Sequence, residues 1–421
     1  MSKNTLMAAI IPLLLCRAVL AAENPVFSPG YDLRGNISRI EVPLPGPASP
    51  AAESAGLKEW TIMAYINGKN NLEKSALQDM NEMEMIGSSD KVNMVVEAGR
   101  MAGYVATDGD WRSTRRYLML VDKDTGTIGS PVVEDIGRTD MGDYKNLAAF
   151  VKWAKARYPA KKYMLIVWDH GTGWDKGASP FFSKGISYDH ETKNHITTPQ
   201  LAQALKEMGG VDLYGSDACL MQMAEVMYEI KDQVPYVIGS EAPIRLDSYP
   251  YDRILGGLVK DPAMGPEQLG RLIVDCITGY YSQIGMPSTQ SLVRSSAMPG
   301  LKTLTDNFAA AVMATHEKDP VRNAWSGAQC YSHDGLDLWD FTALIMEYSR
   351  NESVILAGKA LQDYISGTLV LSNGTVTDTY AKSHGISIYM PGFYYKASYA
   401  GLAWSEDANW DDFIGWYLQG I

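Results

Sequence analysis

Cysteine is scarce in this chain, four residues in 421, which excludes a small scaffold held together by disulfides. Positive charge is also in deficit. Lys and Arg number 37 against 49 Asp and Glu, a formal charge of −12. Nucleic acid and anionic membrane surfaces would be repelled by such a surface, and a basic substrate would be drawn to it. No internal repeat stands out. The 46% apolar content leaves no case for wholesale disorder, and the length suits one large or two medium domains.

Several site signatures are missing as well. There is no G-x-S-x-G, which argues against a serine α/β-hydrolase. GTGWDKG (171–177) follows an apolar run but is one residue off the dinucleotide fingerprint, so it reads as a site loop. DHETKNH (189–195) puts His190 and His195 five apart, off the spacing that shares one helix face, and no metal is expected there. DKDTG (122–126) lacks the remaining ligands of a calcium loop and reads as a turn. No cofactor is expected; calcium is left open, with no motif pointing to it.

What is present begins with an export signal. Lys3, the apolar run 6–15 and the small residues Ala18, Ala21 and Ala22 predict a signal peptide over 1–22. Its core is too short, and Pro12 too disruptive, for a membrane span. Cys16 leaves with it, so Cys219, Cys276 and Cys330 face an oxidising compartment, periplasmic or extracellular. Residues 23–56, rich in Pro, Ala, Gly and Ser, read as a linker or propeptide-like segment, with a short strand over 34–42.

From residue 57 the pattern changes. Strands are expected at 60–66, 91–98, 162–168, 211–215 and 236–239, with helices at 72–86, 146–157, 199–208 and 220–230, and a hairpin from 117–121 and 131–136. Strands alternating with helices predict an α/β fold with a mainly parallel sheet, covered on both faces. After about 265 the chain turns helical (266–284, 300–317, 352–371), with a late strand at 386–390. The expected division is a core over 57–295 and a C-terminal helical subdomain over 296–421.

In parallel sheets, sites form beyond the carboxyl ends of the strands. Two strands end in polar clusters, Asp169-His170-Gly171 and Ser216-Asp217-Ala218-Cys219. His170 would be pushed out into a crevice. Cys219 would open the next helix, where orphan N–H groups favour thiolate. A thiolate with a His to protonate the leaving amine suffices for acyl transfer. On these residues alone a second reading stays open: a buried, inert Cys219 beside a turn histidine.

His170 in WDHGTGW and Cys219 in GSDACLMQMAEVMYE resemble the paired motifs of the clostripain family of cysteine peptidases. WTIMAYINGKNNLE (60–73), GSEAPIRLDSYPY (239–251), LDLWDF (336–341) and HGISIYMPG (384–392) agree in order. The chain departs from the family at Lys69, usually acidic, and at Ser248-Tyr249, where a Gly is usual; both departures are assigned to the rim of the substrate cleft. The resemblance implies a caspase-like three-layer sandwich, with His170 as general acid/base and Cys219 as nucleophile. It also implies backbone N–H groups of Gly171 and Cys219 as the oxyanion hole. Asp217 matches the acid of an S1 pocket selecting Arg or Lys, which suits a carboxylate's bidentate grip on guanidinium; a plain helix N-cap is the structural alternative. With Cys219 nearby, that carboxylate has to point away from the sulfur. Self-cleavage between His and Cys is implied, and Lys184 in GASPFFSKG is the favoured site.

The remaining candidates read as structural. His384 is the rival to His170, His316 and His333 have no partner pattern, and Cys276 and Cys330 read as buried thiols that could pair in an oxidising compartment. The expectation is an exported, monomeric endopeptidase, whole or nicked into two chains. It acts on peptides with Arg or Lys at P1. The alternatives are a non-catalytic peptide-binding relative and a general acyl or amide hydrolase without basic preference.

Overall fold

The computed structural model describes residues 57–174, 185–332 and 334–419. The expected signal peptide, linker and Lys184 lie outside them. The strands are β1 (Lys58–Gly68), β2 (Val92–Arg100), β3 (Thr114–Leu118), β4 (Val132–Asp135), β5 (Ala160–Trp168), β6 (Ile186–Asp189), β7 (Asn194–Ile196), β8 (Leu213–Asp217), β9 (Tyr236–Gly239), β10 (Ser288–Arg294), β11 (Cys330–Ser332), β12 (Gly335–Asp337), β13 (Val370–Val376) and β14 (Ser387–Tyr389). Nine of them form one sheet in the order β13-β10-β9-β8-β5-β1-β2-β3-β4. Its five central strands are parallel, and antiparallel pairs close both edges.

The central strands are mostly apolar because both faces are covered, with polar residues such as Asn67, Glu97 and Asp217 also buried in them. Side chains alternate between two cores. Met63 and Tyr65 of β1 and Leu165 and Val167 of β5 face helices α2 (Tyr144–Arg157), α3 (Thr198–Glu207) and α4 (Ala224–Ile230). Ile62 and Ala64 of β1 and Met164 and Ile166 of β5 face α1 (Glu73–Glu84), α5 (Tyr251–Lys260) and α6 (Pro266–Gln283). This is the expected three-layer α/β sandwich. Residues 296–421 supply β13 to the central sheet, and several of their helices enter the first core through Leu301, Phe308, Phe341 and Leu361.

Two elements differ from expectation for physical reasons. The 352–371 helix is α-helical to Tyr364 and continues as a π-helix over Ile365–Leu369, so only its last two residues pass into edge strand β13. β10 (STQSLVR) escapes a hydrophobic reading because it is buried yet polar, with most of its polar groups paired. Gln290 Nε2 donates to Tyr249 Oη at 2.7 Å, and Ser291 Oγ to the Gly385 carbonyl at 2.6 Å.

Candidate active site

Strand register brings the two chemical residues together. β5 and β8 run parallel from Met164↔Leu213 to Trp168↔Asp217, and Asp169 N donates to Asp217 O at 3.3 Å just beyond. His170 and Cys219 each lie two residues past the last pair. The sequence offset between them is therefore the offset of two adjacent strands in register. Gly171 seals the crossing. A Cβ there would lie 2.5 Å from the Cys219 carbonyl oxygen and 2.9 Å from Ala218 Cβ. Gly171 also bridges Ile186, the flanking bond being donated by Thr172 N to Gly185 O at 3.0 Å. That pattern turns the Gly171 N–H away from the β6–β7 hairpin.

Cys219 does not open a helix. Leu220 takes a left-handed backbone (φ 63°) and α4 begins only at Ala224, so the expected dipole contribution to a thiolate is lost. Instead, Ile244 N donates to Sγ at 3.2 Å, and the thiol faces the Ile244 carbonyl at 3.6 Å. Desolvation pushes the thiol up to about 11, with Asp217 and Asp169 adding to it against the Ile244 N–H. At neutral pH Cys219 is thus a thiol, where a helix-assisted thiolate was expected.

His170 is half-buried, its ring edge-on to Tyr188 with centroids 6.5 Å apart. Its Nε2–H donates to Asn71 Oδ1 at 3.0 Å. Desolvation, then His190, pulls its pKa down to about 4. Imidazole and thiol are thus both neutral near pH 7. Beneath them, the buried Asp169 accepts from Asn70 Nδ2 at 2.7 Å and from Tyr188 N.

Beside Asn71 a cavity of about 140 Å³ runs between α1 and residues 246–247. Ser75, Asp79, Glu82, Leu246 and Asp247 line it together with Lys74 and Asn71. Asp217 stands apart from this lining, fully buried, and points to the α1 face of the sheet. Its Oδ2 accepts from Ser248 Oγ, from Tyr251 Oη at 2.8 Å and from Tyr249 N at 3.3 Å, and Oδ1 has no partner among the described residues. Trp168 Nε1 ties the two sets together, donating to Asp79 Oδ2 at 2.6 Å and to Ser248 Oγ at 2.9 Å. Burial raises Asp217 to about 6. Burial, then repulsion among neighbouring carboxylates, raises Asp79 and Glu82 further; burial also raises Asp247, against Arg245.

Sequence reasoning singled out Asp217 and missed Asp79, Glu82, Asp247, Asn71 and Ile244. Asp247 and Ile244 lie inside GSEAPIRLDSYPY, and Asn71 inside the 60–73 stretch; Asp79 and Glu82 look like the solvated face of a helix. The two departures from the family pattern are interior, not rim. Lys69 is completely buried against Glu191 (3.0 Å) and Asp189 (3.4 Å), and Ser248 holds Asp217. His384 belongs to a separate cluster, bonded to Asp337 at 3.1 Å and stacked on Trp339. His190 bonds Tyr104, and His195 stacks on Tyr188. Cys276 and Cys330 are free thiols packed against different cores, on opposite faces of the sheet.

The model of the clostripain family matches residues 64–417. Clostripain from Hathewaya histolytica is 29% identical over 396 residues, 79% of this chain and 74% of that protein. An inactive zymogen C11 protease from Parabacteroides distasonis superposes with a TM-score of 0.62 at 21% identity, covering 84% of this chain and 99% of its own. A secreted C11 cysteine protease from Bacteroides thetaiotaomicron, in complex with an irreversible peptide inhibitor, gives 0.60 at 21% identity over 84% and 100%. No helix among the described residues is long and apolar enough to cross a membrane. With its match spanning nearly the whole described chain, the protein belongs to the clostripain family of cysteine peptidases.

Proposed function

We infer that this chain is an exported endopeptidase that cleaves after Arg or Lys, with Cys219 as nucleophile and His170 as general acid/base. The observation that supports the reading is the β5–β8 register, by which His170 and Cys219 follow adjacent strand ends, with Asn71, the His170 partner, on the wall of a carboxylate-lined cavity. Substrate supplies the missing step. As the scissile carbonyl approaches, His170 takes the Cys219 proton and the sulfur attacks the carbon. The backbone N–H groups of Gly171 and Cys219 receive the developing oxyanion. The imidazolium then protonates the leaving amine, and water, deprotonated by His170, hydrolyses the thioester.

The P1 cation would enter beside Asn71 and meet Asp247, Asp79 and Glu82, with Asp217 behind them. Ionising these carboxylates against a bound guanidinium or ammonium offsets the desolvation that keeps their pKa values high. A signal peptide over 1–22 and the secreted Bacteroides relative support export, periplasmic or extracellular. Self-cleavage after Lys184 between His and Cys is part of the same reading, and the nicked product would remain a single folded unit.

The test is hydrolysis of Arg-, Lys- and Leu-terminated amide reporters. Cys219→Ser and His170→Ala should each lose all activity. Asp247→Ala should lose Arg and Lys turnover selectively. Equal loss on all three reporters would remove the basic pocket from the account, and hydrolysis surviving in His170→Ala would remove the dyad.

A further inference from the structure

We propose that Asn71 is the positioning residue of a three-part relay, Asn71–His170–Cys219, holding the imidazole in the tautomer that receives the thiol proton. The proposal rests on the reading of His170 as the base.

The geometry starts from the bond between Nε2–H of His170 and Oδ1 of Asn71, 3.0 Å. A carboxamide oxygen only accepts, so this contact requires the proton on Nε2 and leaves the lone pair on Nδ1. When Nδ1 takes the Cys219 proton, the ring becomes an imidazolium whose Nε2–H is already oriented onto Oδ1. That contact strengthens as charge develops. Later Nδ1 gives its proton to the leaving amine, and Asn71 itself neither gains nor loses one.

Asn71 is exposed on its own account, yet the backbone that carries it is clamped on both sides. Before it, Lys69 is fully buried, its ammonium bonded to Glu191 and to the Thr139 carbonyl. Asn70 is buried and donates to Asp169 Oδ1 (2.7 Å) and to the Tyr188 carbonyl (2.9 Å), while its Oδ1 accepts from Leu72 N (2.8 Å). After it, Glu73 is locked in a buried ion pair with Arg100 at 2.6 Å. Adjacent residues thus grip adjacent residues: Asn70 holds Asp169, and Asn71 holds His170. The end of β1 is pinned to the end of β5 just where the base must not swing. Around the ring, His190 of the β6–β7 hairpin acts electrostatically and Tyr188 of β6 meets it edge-on.

The experiment compares Asn71→Ala and Asn71→Asp by full pH profiles of kcat and KM on an Arg-amide reporter, with His170→Ala alongside. Removing Oδ1 should lower kcat by about 10- to 100-fold, the scale of a lost orienting contact, with KM unchanged within about twofold. Asn71→Asp keeps an acceptor and adds a negative charge that favours imidazolium. It should recover part of kcat and shift the acid limb of kcat/KM upward by about one pH unit or more. Wild-type kcat in Asn71→Ala overturns the proposal, as does a rise in KM alone, which would limit Asn71 to its place in the cavity wall. Equal losses in both variants with an unmoved acid limb overturn it too. An active His170→Ala, by contrast, would sink the dyad itself, so the two failures are distinguishable.

Discussion

Replacing Gly171 by Ala tests whether the site depends on the close crossing of the two strand ends. The added methyl would lie 2.5 Å from the Cys219 carbonyl oxygen, 2.9 Å from Ala218 Cβ and 3.1 Å from Met221 Cγ, whereas ordinary contact begins near 3.4 Å. The main clash is with backbone and cannot be relieved by a rotamer change, so the His170 and Cys219 segments must separate by roughly 0.5–1 Å. Overpacking of this kind costs about 1–3 kcal/mol. A displacement of that size between nucleophile, base and oxyanion donors costs about 10²-fold in rate. The assay is a thermal melt together with kcat/KM on an Arg-amide reporter, with Gly279→Ala as control. Gly279 lies in α6 with nothing within 4 Å of a Cβ, so that variant should be fully active and slightly more stable. Wild-type kcat/KM in Gly171→Ala would refute the reasoning, because the crossing could then open without consequence.

Other consequences are independent of that crossing. Alkylation of Cys219 by iodoacetamide, followed by peptide mapping, should accelerate as pH rises toward about 11; a fast rate already level between pH 5 and 8 would mean a standing thiolate–imidazolium pair. Asp217 has a folded pKa raised to about 6, so the native state keeps a proton that the unfolded chain has lost above pH 4. Stability from that proton is present below pH 4 and lost as pH rises through 6, on the order of 3 kcal/mol at 1.4 kcal/mol per pKa unit. Asp217→Asn should therefore gain stability relative to wild type between pH 4 and pH 8, and a constant Tm difference would contradict the assignment. Lys69→Met leaves Asp189 buried without its ammonium, and chemical denaturation should show a loss of about 3–5 kcal/mol, most of it recovered by adding Asp189→Asn.

The central sheet was legible because its strands are buried on both faces, and short apolar runs bounded by Asp-His-Gly and Ser-Asp-Ala-Cys carry that signal directly. β10 and β13 were not, the one being a polar strand satisfied by Gln222, Tyr249 and Gly385, the other the tail of a helical pattern. The neighbouring strand-end positions of His170 and Cys219 could be read because chain order alone implies them. Their protonation states could not. The expected thiolate needed a helix starting at Cys219, and one left-handed residue at Leu220 postpones that helix to Ala224. Asp79, Glu82 and Asn71 were invisible for a related reason. Each lies far from the dyad in sequence, and only packing of α1 beside residues 246–247 turns its acidic face inward.

The most direct test of the account is the mass map of the protein after reaction with a peptidyl Arg-chloromethyl ketone. A single adduct is expected on Cys219, none on Cys276 or Cys330, and none when His170 is replaced by Ala. An adduct on another cysteine, or amide hydrolysis persisting in Cys219→Ala, would contradict it.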